Sequence, residues 1–256
     1  MDRRTAIATL LGSFPAIRAA DSPRTPVLVE LFTSEGCSSC PPADALLMEL
    51  DRQPIAGVEV IALSEHVDYW NHLGWQDAFS SPLFSARQQQ YAARFRMQSV
   101  YTPQMVIDGR AEAVGNKSGD IYGLIQYAAR TPKASVRVEK APAQEDDGPH
   151  GVRVRAFADS VPQSVKGEQL DLILAIAETG LSSYVARGEN EGRFLKHTGV
   201  VRSMTRVTEL ETGKGAYSAT LMTQIAKSWN RSKLRAVVFV QSRDTQSVVG
   251  VGWCGL

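Results

Sequence analysis

The chain has little cysteine, no excess of either charge and no long apolar run. Each shortage excludes a class of protein. Its 256 residues hold three cysteines, too few for a disulfide-stapled scaffold, and the odd count leaves at least one thiol outside any single pair. The net charge of +1 leaves no basic excess with which to neutralise phosphates, which argues against a nucleic-acid partner. No apolar stretch reaches the roughly 18 residues of a membrane-crossing helix, so a multi-span membrane protein is excluded and no span is expected in the mature chain. What is there suffices for a core: 43% hydrophobic and 21% charged residues are not the composition of a disordered tail.

The start reads Met1-Asp2-Arg3-Arg4, then a mildly apolar run from Thr5 to Ile17, then Ala19 and Ala20. A basic start, an apolar stretch and a small-residue exit form the layout of an export signal, and the Arg3-Arg4 pair invites a twin-arginine reading. Residues 1–24 are therefore expected to be a leader directing the chain out of the cytoplasm, to the periplasm, where disulfide chemistry is permitted.

From residue 25 the elements alternate. Val27–Phe32 is a nearly continuous apolar run expected of a buried strand, and Val58–Leu63 is a second strand. Between them Ala45, Leu46, Met48 and Leu50 suit a helix ending near Asp51, with Pro41 and Pro42 in its first turn. A long stretch from Ser64 to Val100 contains a helix over Phe84–Phe95. Met105–Ile107 and Ala111–Val114 flank an Asp108-Gly109 hairpin turn, and a helix over Ser118–Arg130 stops at Thr131-Pro132. After Pro132 the pattern alternates strictly in Ser135–Glu139 and Val152–Phe157. Leu170–Ala177, Ala236–Val240 and Val248–Trp253 are further expected strands, with a helix over Leu221–Trp229. The expected organisation is an α/β domain over 25–131 with a helical insertion, and a β-rich, sandwich-like module over 132–256.

Phe32-Thr33-Ser34-Glu35-Gly36-Cys37-Ser38-Ser39-Cys40-Pro41-Pro42 joins the first strand to the first helix. A C-x-x-C at that turn has a mechanism. The start of a helix favours an anion, which activates the first thiolate, and two intervening residues let the second sulfur reach the first. The expected roles are Cys37 as an exposed nucleophile and Cys40 as the resolving thiol one turn inside the helix. Thr102-Pro103 lies just before the Met105–Ile107 strand. This is where thioredoxin-like folds, which this order of elements resembles, place a cis proline beside the dithiol. The resemblance implies a cis bond here, a Thr102 backbone free to pair with an extended substrate, and Thr102 and Pro103 as candidate substrate-binding residues. Strand–CxxC–helix–strand–Thr-Pro–hairpin–helix together resembles the thioredoxin fold.

The segments Glu30–Asp44, His66-Val67-Asp68-Tyr69-Trp70, Tyr101-Thr102-Pro103-Gln104, Gly188-Glu189-Asn190 and Val200-Val201-Arg202 resemble an exported bacterial thioredoxin-like family catalogued as a domain of unknown function, DUF1223. The resemblance implies a thioredoxin-like first part and a β-rich second part. It implies no substrate. Gly36 stands where ordinary thioredoxins carry Trp before the first cysteine.

Other residues have two readings. His66 either carries a proton or partners the Cys37 thiolate, or it merely hydrogen-bonds its loop with Asp68; a third reading makes Cys37, Cys40 and His66 a copper or zinc site. Glu35 is a possible proton carrier for Cys40 or a solvated turn residue, the latter favoured. Arg87 and Arg94 are expected on a solvated helix face. The 188–193 turn is either a hairpin connection or a loop reaching over the dithiol. Cys254 is expected to be a packing residue. The main expectation is an exported thiol–disulfide oxidoreductase that exchanges disulfides with protein thiols and a separate redox partner, using no cofactor. The alternatives are the metal-handling module and a non-catalytic binding protein with a structural disulfide.

Overall fold

The computed structural model describes residues 24–53, 55–210 and 215–256, so the expected leader, save Arg24, lies outside the described residues. The first half contains strand β1 (Thr25–Thr33), helix α1 (Pro41–Arg52), strand β2 (Val58–His66), helix α2 (Pro82–Arg94), strands β3 (Gln104–Ile107) and β4 (Ala111–Val114), and helix α3 (Ser118–Ala128). The second half is built of strands β5 (Ser135–Lys140), β6 (Gly151–Asp159), β7 (Leu170–Glu178), β8 (Leu181–Tyr184), β9 (Phe194–His197), β10 (Val200–Leu210), β11 (Tyr217–Gln224), β12 (Leu234–Ser242) and β13 (Val248–Gly255). No helix among the described residues is long and apolar enough to cross a membrane.

The molecule is a mixed α/β structure dominated by one eight-stranded sheet, in the order β13-β12-β7-β10-β2-β1-β3-β4. β1 is apolar on both sides because both faces of the sheet are covered. Its odd residues Val27, Val29 and Leu31 pack under α1 and α3 against Leu46, Leu47, Leu50, Ile121 and Ile125. Leu28 faces the other way, with Phe84 of α2 and with Phe239. β7 shows the same two-sidedness: Ile173, Ala175 and Ala177 join that second layer, while Leu170, Leu172, Leu174 and Ile176 pack on the three-stranded sheet β11-β6-β5.

The expected boundary at 131/132 does not interrupt the large sheet. β10 enters beside β2 in parallel, with Val200 opposite Ser64. The amide of Ser64 donates to the Gly199 carbonyl at 2.7 Å. Gly199 has φ +58°, and a Cβ there would stand 2.3 Å from the Ala62 carbonyl oxygen, so only glycine fits this seam.

Two expectations are corrected here. Leu221–Trp229 is not a helix: Leu221 lies on β11 opposite Val154, and the chain turns after Gln224. Leu221 and Ile225 are both core residues. Their spacing of four fits a helix, but it is also two strand periods, and the alternation decides. Arg87 is not on a solvated face. Phe84, Arg87, Gln88 and Tyr91 follow i, i+3, i+4, i+7 on α2 and all four are buried. Arg94 is exposed, and its Nε donates to the Thr245 carbonyl at 2.7 Å.

Arg87 lies inside a buried polar network. Its Nε donates to Glu30 Oε1 at 2.7 Å, one terminal nitrogen to Gln241 at 2.9 Å and the other to the Tyr91 hydroxyl at 2.9 Å. The Tyr91 hydroxyl donates in turn to Glu30 Oε2 at 2.5 Å. Glu65, fully buried on β2, adds a second carboxyl 3.6 Å from Arg87 Nε. Burial, and then the adjacent Glu30, hold the Glu65 carboxyl well above its ordinary range, and Arg87 offsets this only in part. The native state therefore keeps a proton on Glu65 that the unfolded chain releases above about pH 4.5. This contribution is fully present below that pH and is lost as pH rises through the folded pKa. Glu65→Gln, which mimics the protonated side chain, is expected to leave stability at pH 7 unchanged or raised and to flatten its fall with pH. Urea unfolding at several pH values checks this; a clear loss of stability at neutral pH would mean that Glu65 is charged and useful there.

Candidate functional site

The turn after β1 is a tight staircase. The Cys37 amide donates to the Ser34 carbonyl at 3.1 Å and the Cys40 amide to the Cys37 carbonyl at 3.2 Å. Cys40 is the N-cap of α1, not a residue one turn inside it, and Cys37 precedes the helix. The two cysteines form a disulfide with their Cα atoms 5.4 Å apart. Both are buried, so the expected exposure of Cys37 is corrected, and Ser38 and Ser39 carry the exposed surface of the turn. Pro41 and Pro42 have no amide hydrogens, and the amides of Ala43 and Asp44 are taken by the Cys40 carbonyl. The polar group beside the Cys37 sulfur is the Ser39 hydroxyl, at 3.4 Å.

The burial of the disulfide has an identifiable cause. β8 and β9 form a hairpin whose loop, closed by Val185–Arg193 and Gly192–Val185 backbone bonds, reaches the cysteine turn. Asn190, fully buried at its tip, donates from Nδ2 to the carbonyls of both Glu35 and Cys37, each at 2.9 Å. Arg193 orients it by donating to Asn190 Oδ1 at 3.1 Å. Glu189 Oε2 accepts the Ser38 amide at 2.9 Å. Of the two readings of this segment, the geometry is that of a loop holding the dithiol turn.

On another side, the indole of Trp70 donates to the Thr102 hydroxyl at 2.8 Å. A Cβ on Gly36 would lie 3.3 Å from the Trp70 Cβ, so Trp70 packs directly against Gly36. The Thr102–Pro103 bond is cis. Pro103 is buried, and Gly115 lies in a narrow crevice shared by Pro103, Leu31 and Ala43 of α1.

Beneath the turn lies a cluster of buried ionisable groups. Glu35 is fully buried, not a solvated turn residue. Its Oε2 accepts from the Trp75 indole at 2.8 Å, and its Oε1 lies 3.4 Å from His197 Nε2. His197 Nδ1 faces Asp44 Oδ1 at 3.3 Å. His66 Nδ1 is 2.7 Å from Asp77 Oδ2, which also accepts the Glu35 amide at 2.9 Å. Burial opposes charge on His197, yet its bonds to Asp44 and Glu35 prevail and push it up to about 10. For Glu35, burial pulls upward, but His197 at 3.4 Å and hydrogen bonds from Ser183 and Trp75 outweigh it, and the carboxyl ends below its ordinary value. Asp77 is likewise held down, against burial, by His66.

The expected residues are thus gathered unevenly. Cys37, Cys40 and Glu35 share one turn, and Thr102 reaches it through Trp70. The groups that could hold a cation with His66 are Asp44 and His197, and no sulfur joins them among the described residues. Sequence reasoning missed His197 and Asp77; Asp44 and Asn190 fell within segments it singled out but received no role of their own. The alternation Leu195/His197, both buried on β9, was an available sign that this histidine points inward. Cys254 is half-buried on the edge strand β13, which β12, β7 and β10 separate from β2 in the sheet order, and its thiol is pushed up chiefly by burial.

A mixed α/β protein with a disulfide capping its first helix, over a buried histidine–carboxylate cluster, is the class that fold and site define. The chain belongs to the DUF1223 family, described as proteins of unknown function, whose match runs over residues 28–241. The chain is similar to an Agrobacterium tumefaciens protein of known crystal structure from a structural-genomics programme. Identity is 25% and the TM-score 0.69, covering 91% of this chain and 95% of that one. It is also similar in fold to HBP35 of Porphyromonas gingivalis, at 13% identity and a TM-score of 0.66, covering 93% and 77%. No curated protein matches the chain.

Proposed function

We propose that the protein is a thiol–disulfide exchange protein with a thioredoxin-like first half, exported to the periplasm, and that Cys37 and Cys40 carry the reaction. The observation that supports this most is the Cys37–Cys40 disulfide between a central parallel strand and the helix that follows it, with Thr102–Pro103 linked to it through Trp70. The order of elements from β1 to α3 supports the thioredoxin-like reading, and the layout of residues 1–24 supports export.

In the reduced protein the Cys37 thiolate attacks one sulfur of a protein disulfide. That disulfide breaks, its other sulfur leaves as a thiolate and takes a proton, and a mixed disulfide forms through Cys37. The Cys40 thiolate then attacks the Cys37 sulfur, releases the second substrate thiol and closes Cys37–Cys40. Two electrons pass from the dithiol to the substrate. The oxidised form runs the same steps in reverse on a substrate dithiol, and the partner redox protein resets the pair. Thr102 and Pro103 serve as the substrate-binding edge. Glu35, linked to His197, serves as a proton acceptor near the turn. Tyr184 and Phe194, an exposed cross-strand pair at the base of the covering loop, suit an apolar polypeptide substrate.

Cys40→Ser expressed in the exporting cell is expected to trap mixed disulfides through Cys37, seen as reducible adducts on non-reducing gels. A Cys37→Ser, Cys40→Ser double variant should show none. A Cys40→Ser chain that stays free of adducts would remove the exchange reading in favour of a structural disulfide.

A further inference from the structure

We propose that Asp44, His66 and His197 form a site for one divalent first-row transition cation of the zinc type, beneath the disulfide and independent of its sulfurs. This goes beyond the exchange reading and does not depend on it.

The three side chains each offer one donor atom, and these atoms lie within 4.8 Å of one another. All three residues are more than nine-tenths buried. Their rings and carboxylate come from three separate elements: Asp44 from α1, His66 from the end of β2 and His197 from the end of β9. Only the folded chain assembles them. The two imidazole rings stand edge to face with centroids 4.8 Å apart. Zinc–ligand bonds of about 2.0–2.2 Å require the donors to draw together by about 1 Å on binding.

The surroundings have the form of a metal centre's outer shell. A ligating histidine is oriented when its second nitrogen is bound to a carboxylate, and that leaves the first nitrogen aimed at the metal. His66 has this arrangement: Nδ1 is held by Asp77, and Nε2 is buried with no hydrogen-bond partner. Asp44 has it too, since Thr33 donates to Oδ2 at 3.2 Å and leaves Oδ1 facing the cluster. His197 has a carboxylate near each ring nitrogen, Asp44 at 3.3 Å and Glu35 at 3.4 Å, and its Nε2 also lacks a hydrogen bond of good geometry. Glu35 Oε1 is a further buried acceptor without a donor. Unsatisfied buried polar atoms are costly; His66 Nε2 has no hydrogen-bond partner, and His197 Nε2 and Glu35 Oε1 face each other at 3.4 Å without a well-directed bond.

Charge points the same way. Glu35, Asp44 and Asp77 bring three carboxylates to two imidazoles, and among the described residues no lysine or arginine pairs with any of them. A dication offsets this excess. Two nitrogen donors and one carboxylate oxygen, with no thiolate, suit zinc and its first-row neighbours and not magnesium or calcium, which prefer all-oxygen sites.

The test uses the full chain in its oxidised form, stripped with a chelator and titrated with zinc by calorimetry and with cobalt by absorbance. The expected result is saturation at one equivalent. Cobalt should give visible d–d bands without a thiolate charge-transfer band, and zinc should raise the thermal midpoint. A Cys37→Ser, Cys40→Ser variant is expected to bind equally well. His66→Ala and His197→Ala should lose binding. Asp77→Asn touches no metal in this scheme, and it should keep the fold by circular dichroism while weakening zinc about 10–100-fold. If the histidine variants fail to fold, Asp77→Asn decides. The proposal is overturned if the oxidised chain takes up no zinc, if binding requires the cysteines, or if folded Asp77→Asn binds zinc as the parent does.

Discussion

Arg87→Met is expected to destabilise the protein by about 3–5 kcal/mol, the usual cost of removing one partner from a buried ion pair. The methionine replaces the hydrocarbon part of the side chain but not the guanidinium that serves Glu30, Gln241 and Tyr91. Glu30, fully buried at the centre of the sheet, would then keep the Tyr91 hydroxyl and the neighbouring Glu65 carboxyl but no cation. Combining Arg87→Met with Glu30→Gln should recover part of the loss, because it removes the stranded charge. Denaturant unfolding of the single and double variants reads both effects. A single-variant loss below about 1 kcal/mol, the scale of an exposed pair, would mean that the network contributes no more than a surface salt bridge.

The second large effect is expected at Asn190. Asn190→Ala removes the donor that holds the Glu35 and Cys37 carbonyls, leaving a buried acceptor at Glu35 at a cost of about 1–3 kcal/mol. The Cys37 carbonyl keeps the Cys40 amide, so its share of the loss is the smaller one. The greater change should be kinetic. With its cover loosened, the buried disulfide should be reduced by a small thiol at least about tenfold faster, the change produced by some 1.4 kcal/mol of barrier. The comparison is the rate of reduction by dithiothreitol in the two proteins under native conditions. Equal rates would show that the 185–193 loop does not limit access to the sulfurs.

How far these features could be read in the sequence depended on whether the signal was local. β1, α1 and β2 were legible because Val27–Phe32 and Val58–Leu63 are apolar runs broken only by Glu30 and Glu59, and because Leu46 and Leu50 lie one turn apart on the face that α1 buries. β10 was not. It is long and partly exposed, and irregularities between Val201 and Ser203 and between Arg206 and Thr208 shift its alternation. The cysteine turn was readable as four adjacent letters. The cluster beneath it was not, since residues 35, 44, 66, 77 and 197 meet only once the sheet has formed. Glu35 was misread for a related reason: a glutamate between Ser34 and Gly36 has the composition of a surface turn, and what buries it arrives from Trp75 and His197. Arg87 was the exception, a miss with a local sign, because its spacing from Phe84 and Tyr91 already put it on the inner face of α2.

The seam at Gly199 has a consequence for how the molecule is made. β1 and β2 emerge early in synthesis, and the cysteines between them can meet at once. The strand that pairs with the free side of β2 begins only at Val200, after β5 to β9 have been made. Until then the edge of β2 stays open, and unpaired edges invite association with other chains. Asn190 and His197 belong to the same late segment. The cysteine turn therefore acquires its bonds to Asn190 and its contact with His197 last. Until β9 and β10 dock, the turn lacks the neighbours that enclose Cys37 and Cys40 in the finished protein.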